Sequence, residues 1–283
     1  MEYLIDKVTR FEHYFPKSST NYLKENHYRL YLIKNKIKHY LYRTFPPSHL
    51  IDFDKVAKES IPILIINYNR HETLRQMVDW LLSLNQEVSI IILDNASDFE
   101  PLLQYYDQLD IPNVQVVHFP ENYGLKKLIA MSQTLKGFKY YVVTDPDLVP
   151  YDNTNPDILK RMMDTLDKYK DINHVGASLE IKDIPDHYPL KEAVLKWETQ
   201  WWKVNREPGV YEAFVDTTFG MYRSDSEVMK LYPALRLGHP YTLKHVDWYL
   251  DPRFIDTEDR HGLKTKTGLS SWMTRLSNTL PEL

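Results

Sequence analysis

An Asp145-Pro146-Asp147 triplet stands at the end of the apolar run Tyr140–Thr144. Carboxylates two residues apart project to the same side of an extended segment. Pro146 fixes its own φ and biases Asp145 towards extended geometry. Two hard oxygen ligands suit Mg²⁺ or Mn²⁺, ions that also bind phosphate oxygens and stabilise a departing diphosphate. The alternative is a strand-end turn whose acids cap the next helix. Two more polar groups follow apolar runs in the same manner: Asn67-Tyr68-Asn69-Arg70 after Ile61–Ile66, and Asp94-Asn95-Ala96-Ser97 after Val88–Leu93. At Asp94 a carboxylate can accept from a ribose or a base N–H, or it can close an Asx turn. Tyr68 can lie against a base ring. Lys126 and Lys127, which follow Asn122-Tyr123-Gly124, can reach a diphosphate or stay solvated as ordinary helix lysines.

These groups require elements that deliver them to one place. The continuous apolar runs at 61–66 and 88–93 are expected for strands buried on both faces. Amphipathic helices are predicted over Thr73–Leu84 and Glu100–Leu109, a third strand over Val114–Phe119, and a helix from Asn122-Tyr123-Gly124 to Leu135. The strand Tyr140–Thr144 completes the series. Strands joined through helices imply a mostly parallel sheet with right-handed crossovers. Ligands bind such sheets at the carboxyl ends of the strands, where the three polar groups fall. The fold class expected is α/β, a Rossmann-like, mostly parallel sheet with flanking helices, plus an N-terminal helical segment.

The chain has 283 residues, enough for a sizeable core, with 43% hydrophobic and 26% charged residues. Its net charge is −4, yet residues 1–48 carry nine Lys/Arg against four acids. Within them, residues 18–44 place Leu23, Leu30, Ile33, Ile37 and Leu41 at helical spacing among bases and tyrosines. A helix docked on the body and a helix touching an anionic membrane surface both fit that stripe; nucleic acid is not the expected partner. Cysteine is absent, which excludes thiolate metal sites and cysteine nucleophiles. The sequence lacks a signal-peptide layout and a run of apolar residues long enough to span a bilayer, so a cytoplasmic location is expected, peripheral on the inner face of the plasma membrane if the basic segment binds lipid. Neither a P-loop nor a dinucleotide glycine fingerprint occurs, and a metal must then take over the neutralisation of phosphate charge.

Ile-Leu-Ile-Ile-Asn67-Tyr68-Asn69-Arg70, Leu-Asp94-Asn95-Ala-Ser, Glu-Asn122-Tyr-Gly124 and Val-Thr-Asp145-Pro-Asp147, in that order and spacing, resemble glycosyltransferase family 2 and its GT-A relatives. The resemblance covers residues 61–150. It implies a GT-A fold and a nucleotide-sugar donor, with Tyr68 and Asp94 near the base. Asn67, Asn69, Arg70, Asn95, Asn122, Gly124 and Lys127 fall in the donor-binding stretches, and Asp145 and Asp147 lie around metal, ribose and diphosphate. Three regions are expected: a basic helical segment 1–58, a nucleotide-sugar-binding half 59–150, and an acceptor-binding half 151–283.

In the second half, members of the family resembling this chain carry an acidic residue at the mouth of the site, as the base that deprotonates the acceptor hydroxyl. Many have Glu-Asp; here the sequence is His245-Val246-Asp247-Trp248. The resemblance implies Asp247 as base and His245 as a third metal ligand, beside a local turn as the alternative for both. Trp197 and Trp201 in Lys-Trp-Glu-Thr-Gln-Trp-Trp-Lys have helical spacing and are expected in core packing, although aromatic faces also stack on sugars. Asp216–Gly220 reads as a turn suited to lining an acceptor site, and residues 255–283 as a loop followed by a short helix, with Lys264 and Lys266 as candidates to close over a diphosphate. The function implied is metal-dependent sugar transfer, inverting at the anomeric carbon, to a glycan or lipid-linked acceptor in bacterial surface polysaccharide synthesis. A sugar nucleotidyltransferase and a catalytically inactive GT-A binding module are the competing readings.

Overall fold

The structure is a computed structural model and describes residues 50–126, 128–152, 154–226, 228, 230–265 and 272–277. The basic segment at 18–44, Lys127 and Lys266 lie outside the described residues.

The five leading elements fall where the apolar patterns predict them. β1 (Ile61–Asn67) and β2 (Val88–Asp94) pair in parallel, with Asn67 opposite Asp94 at their carboxyl ends. Alternate side chains leave on opposite faces. Ile63, Ile65, Ile90 and Ile92 enter one apolar core, while Leu64, Ile91 and Leu93 enter another. Both faces of these strands are therefore covered, which is why their sequences read as unbroken apolar runs. Helix α1 (Glu72–Leu82) contributes Leu74, Met77, Val78 and Leu81 to the first core, and α2 (Glu100–Gln108) contributes Leu102 and Tyr106. On the opposite face, α3 (Leu128–Thr134) supplies Leu128 and Met131.

β3 (Val114–His118) and β4 (Tyr140–Thr144) extend the parallel set. Beyond β4 the sheet continues with strands from the later part of the chain: β6 (His174–Ala177), β8 (Val210–Glu212) with its hairpin partner β7 (Asn205–Glu207), β9 (Gly220–Arg223) and β10 (Ala234–Leu237). Among the described residues the order is β3-β2-β1-β4-β9-β6-β10-β8-β7. β9 runs antiparallel between β4 and β6, β6 and β10 are parallel, and β8 and β7 turn antiparallel again at the edge. Strands from residues before and after 150 thus share one nine-stranded sheet. Gly176 of β6 and Gly220 of β9 face each other in register, leaving room for Val215.

A second, two-stranded ribbon pairs β5 (Leu148–Pro150) with β11 (Leu243–His245) in antiparallel register, Leu148 opposite His245. The remaining helices are α4 (Ile158–Lys168), α5 (Lys191–Glu198), α6 (Thr257–Thr265) and α7 (Trp272–Ser277). α6 replaces the loop expected from Gly262. A helical glycine costs roughly 1 kcal/mol relative to alanine, and here tertiary contacts offset that cost: Glu258, Asp259, His261 and Thr265 each engage a residue of the β1 or β2 end loops or of the first turn of α1. Trp197 and Trp201 pack edge-to-face at 5.6 Å and both meet Phe214, half-buried and outside the two apolar cores rather than in the core packing expected of them. Among the described residues no helix is long and apolar enough to cross a membrane.

Candidate metal and donor site

Asp147 immediately precedes β5, and His245 ends β11. The ladder between those two strands, extended by the hydrogen bond from Val246 N to Asp147 O at 2.9 Å, fixes the imidazole beside the carboxylate. A short helical turn, Val246–Tyr249, then brings Asp247 round to the same point. One ligand atom from each of Asp147, His245 and Asp247 can be chosen so that all lie within 4.8 Å of one another, and all three residues are buried. Two carboxylate oxygens and an imidazole nitrogen form a donor set that suits a divalent metal ion. The imidazole ring is held by stacking on Trp248, 4.9 Å between centroids and 12° between planes; Trp248 in turn packs edge-on against Trp272 of α7.

Asp145 is not one of these three. Its backbone N–H donates to Thr217 O at 2.9 Å, and its carboxylate accepts the Thr217 hydroxyl. Pro146 separates the two acids: Asp147 joins the cluster and Asp145 is tied to the Asp216–Gly220 turn. That turn, expected to line an acceptor site, buttresses the Asp-Pro-Asp segment. Asp216 closes the turn by accepting from the backbone N–H and hydroxyl of Thr218.

Arg70, at the end of the β1 loop, is buried and forms an ion pair with Asp247. It also donates to Asp259 of α6 at 3.0 Å and lies 3.8 Å from Glu258. Asp247 is only 2% exposed, so its charge is balanced by this guanidinium rather than by water. Glu258 caps the first turn of α1 by accepting from Glu72 N at 2.8 Å, and burial raises its carboxyl above the usual range.

Asp94 sits at the end of β2 beside Asn67. Its oxygens accept from the Tyr106 hydroxyl at 3.2 Å and Ser97 N at 3.2 Å, with His118 Nδ1 at 3.5 Å. Burial, and then the neighbouring Asp94 charge, push the Tyr106 phenol far above its ordinary pKa, so it remains a donor. Asn67 donates to Tyr106 at 2.8 Å and to Arg70 O at 3.0 Å. Tyr106 and His118 were not legible as partners of Asp94, because α2 and β3 carry them as ordinary helix and strand positions. Asn69 adopts φ 56°, in the left-handed region that asparagine tolerates. Its side chain accepts from Asp98 N and Phe99 N and donates to Asp98, stapling the β1 loop to the start of α2. Asn95 is buried and donates its N–H to Asn67 O. Tyr68 is half-buried at the tip of the β1 loop. Asn122 accepts from Gly124 N at 2.9 Å in the turn after β3, where Gly124 has φ 52°. Lys264 is exposed on α6.

A cavity of about 300 Å³ opens beside the cluster, walled by Asp247, Tyr249, Asp251, Phe254 and Asp259. Phe254 is 79% exposed at its rim. Asp251 is bound through both oxygens by Arg253, which holds its carboxyl well below the usual range.

The sequence matches the family described as Glycosyl transferase family 2 over residues 63–227, more than half of the chain. A search of curated proteins finds no match. Among solved structures, a mannosyltransferase from Pyrobaculum calidifontis in complex with GDP-mannose and Mn²⁺ is similar at 11% identity and a TM-score of 0.44, over 74% of this chain and 61% of that one. Glucosyl-3-phosphoglycerate synthase from Mycobacterium tuberculosis, in complex with Mn²⁺, UDP-glucose and phosphoglyceric acid, is similar at 14% identity and a TM-score of 0.37, over 59% and 57%. TarS 1-349 from S. aureus is similar at 14% identity and a TM-score of 0.36, over 58% and 47%. The chain thus spans less than two thirds of the length of each of these three. The α/β sheet ending in Asn67, Asp94 and the Asp-Pro-Asp segment is the GT-A arrangement, and with the match over residues 63–227 the chain belongs to glycosyl transferase family 2.

Proposed function

We propose that this chain is a metal-dependent glycosyltransferase that moves a sugar from a nucleotide-sugar donor to a glycan or lipid-linked acceptor, with inversion at the anomeric carbon. The observation that carries the reading is the buried Asp147–His245–Asp247 group. Its Asp147 lies on the Asp-Pro-Asp segment that follows β4, and β4 is hydrogen-bonded to the strand ending in Asn67. Asp147, His245 and Asp247 would hold the divalent ion, Mn²⁺ or Mg²⁺, which when bound supplies positive charge to a leaving diphosphate. Asp94 and Asn67 would receive the nucleoside, with Tyr68 at the loop tip against the base. Asn69, Asn95, Asn122, Gly124 and Asp145 would shape that donor side through the turns they hold.

Asp247 borders both the cluster and the 300 Å³ cavity. An acceptor hydroxyl in the cavity would meet this carboxylate, which is our reason for keeping it as the base. The direct test is calorimetric titration of the full chain with UDP, GDP and CDP in Mn²⁺ and in EDTA, followed by incubation with nucleotide sugars and detection of the released nucleotide. Metal-dependent binding and release of one nucleotide is expected; no nucleotide binding in Mn²⁺ would overturn the reading.

We further read the chain as acting in bacterial surface polysaccharide synthesis at the cytoplasmic face of the membrane. The support is the surplus of five positive charges in residues 1–48, beside an apolar stripe. Basic residues near an anionic surface contribute about 1 kcal/mol each. Full-length protein is expected to sediment with phosphatidylglycerol vesicles more strongly than protein lacking residues 1–48, above all at low salt. Equal sedimentation of the two would refute the membrane role.

A further inference from the structure

From the cavity a row of partly exposed rings leads away across the β5–β11 ribbon. Tyr249, in the cavity wall, lies under Lys244 Nζ at 4.4 Å, and the same ammonium is 5.5 Å from the Tyr151 ring centroid. Tyr151 meets His239 at 6.0 Å, His239 meets Trp202 at 6.1 Å, and Trp202 meets Tyr211 at 5.2 Å. Tyr249, Tyr151, Trp202 and Tyr211 are half-buried and His239 is exposed.

Four of these rings, Tyr249, His239, Trp202 and Tyr211, are also held from behind. The Tyr249 hydroxyl donates to Asp183, which ion-pairs with Lys244 at 3.2 Å. Both His239 nitrogens are engaged, Nε2 with the buried Glu180 at 2.8 Å and Nδ1 with the Thr242 hydroxyl at 3.1 Å. Gly238 leaves the space that Tyr211 and Trp202 occupy: a Cβ there would lie 2.7 Å from the Tyr211 ring. Rings held in place before a ligand arrives lose little entropy on binding it. A solitary exposed aromatic needs no explanation; a continuous, anchored row that begins in the wall of a cavity does.

We infer that this row is the bed of an oligosaccharide acceptor, so that the enzyme extends a sugar chain and reads several of its residues, not only the one that reacts. The inference rests on the reading of the cavity as the acceptor side. Aromatic faces pack against the C–H faces of pyranose rings and remove both from water, while ring hydroxyls find carboxylates and imidazole at the margins. The pattern of apolar rings with a few placed polar groups is that of a small-molecule site drawn out in one direction. Arg253 and Lys244 are each paired with an acid, Asp251 and Asp183, so the row is not built to capture an anion.

The test measures sugar binding to the full chain without donor or metal, by tryptophan fluorescence and saturation-transfer NMR. The probes are glucose, mannose and N-acetylglucosamine against maltotetraose, cellotetraose, mannotetraose and chitotetraose. At least one tetramer is expected to bind about tenfold or more tightly than its monomer, a gain of about 1.4 kcal/mol. Tyr151→Ala and Trp202→Ala are each expected to weaken that tetramer about fivefold or more, with Trp202→Phe restoring most of the loss. Thermal melting identifies any variant that fails to fold, and Tyr151, on the surface, provides the second arm. Monomer and tetramer binding alike, no tetramer binding, or unchanged affinity in folded Tyr151→Ala would overturn the inference. Because no nucleotide is present, tetramer binding without nucleotide binding would refute the proposed transfer activity and leave the row standing; the reverse result would do the opposite.

Discussion

Leu148 and His245 lie opposite each other in the β5–β11 ladder, and this pairing carries an imidazole from the late part of the chain to the Asp-Pro-Asp segment. The candidate metal group is therefore assembled by backbone hydrogen bonds between two three-residue strands. Its ligands come from segments that no local pattern joins.

Asp147→Asn is expected to leave the fold intact and to weaken Mn²⁺-dependent nucleotide binding at least tenfold, or about 1.4 kcal/mol. Titration calorimetry with and without EDTA reads it. His245→Ala should raise the Mn²⁺ concentration needed for half-maximal binding. Wild-type metal dependence in both variants would remove these residues from the metal role.

Asp247 separates two roles by two substitutions. Asp247→Asn cannot take a proton, so kcat at saturating donor and metal should fall by about 10²–10⁴-fold, beyond any loss of donor binding. Asp247→Ala should lose donor binding as well. Arg70→Ala, which leaves Asp247 and Asp259 without their shared guanidinium, should cost stability of about 3–5 kcal/mol by urea unfolding. If Asp247→Asn retains wild-type kcat, Asp247 is not the base, and Asp216 is the next acid to test.

His174 predicts a pH dependence of stability. It is buried, stacked on Tyr222 at 4.5 Å and bonded through Nε2 to Val215 O, and burial lowers its pKa from 6.5 to about 4. The unfolded chain therefore binds the extra proton first as pH falls. Stability contributed by the neutral imidazole is complete above about pH 6.5 and is lost progressively down to about pH 4. The loss is roughly 3 kcal/mol. Urea midpoints measured at pH 7, 6, 5 and 4 should show this slope, and His174→Gln should flatten it. An unchanged slope in that variant would assign the pH dependence elsewhere.

Gly176→Ala tests the support under Asp145. A Cβ at Gly176 would come within 2.6 Å of Val215 Cγ1, at the start of the segment whose Thr217 holds Asp145. Overpacking of this kind costs about 1–3 kcal/mol. The expected result is a lowered Tm, accompanied by weaker nucleotide binding from the shifted turn. A variant with wild-type Tm would show that the β6–β9 contact is slack.

The parallel strands and their polar ends were legible because burial on both faces leaves long apolar runs, and each run stops at its polar loop. Asn67 and Asp94 end β1 and β2, and Asp147 lies just beyond the end of β4, where those runs place them. The split between Asp145 and Asp147 was not legible, since an extended segment would put both carboxylates on one side; the Thr217 tether decides otherwise. α6 was read as a loop because Thr257–Thr265 is polar and contains Gly262, and its helical state rests on Arg70, Asp98 and Asn69, all far away in sequence. Helix propensity is a weak prior that such contacts override. The row from Tyr249 to Tyr211 comes from five separate segments and leaves no periodic trace.

The position of β9 bears on how this chain can be recombined with its relatives. β4 is the last of the four leading parallel strands in sequence, but its second neighbour in the sheet is Gly220–Arg223, supplied some eighty residues later. A chimera joined near residue 150 would ask a foreign β9 to match Tyr140, Tyr141 and Val142 in register, and a poor match would bare an edge strand rich in apolar residues. Junctions placed after Arg223 keep that pair native and exchange β10, β11, α6 and α7, so a foreign β10 must still match β6 and β8, and a foreign β11 must match β5. Such an exchange also parts His245 and Asp247 from Asp147, so the cluster itself would be rebuilt from two parents.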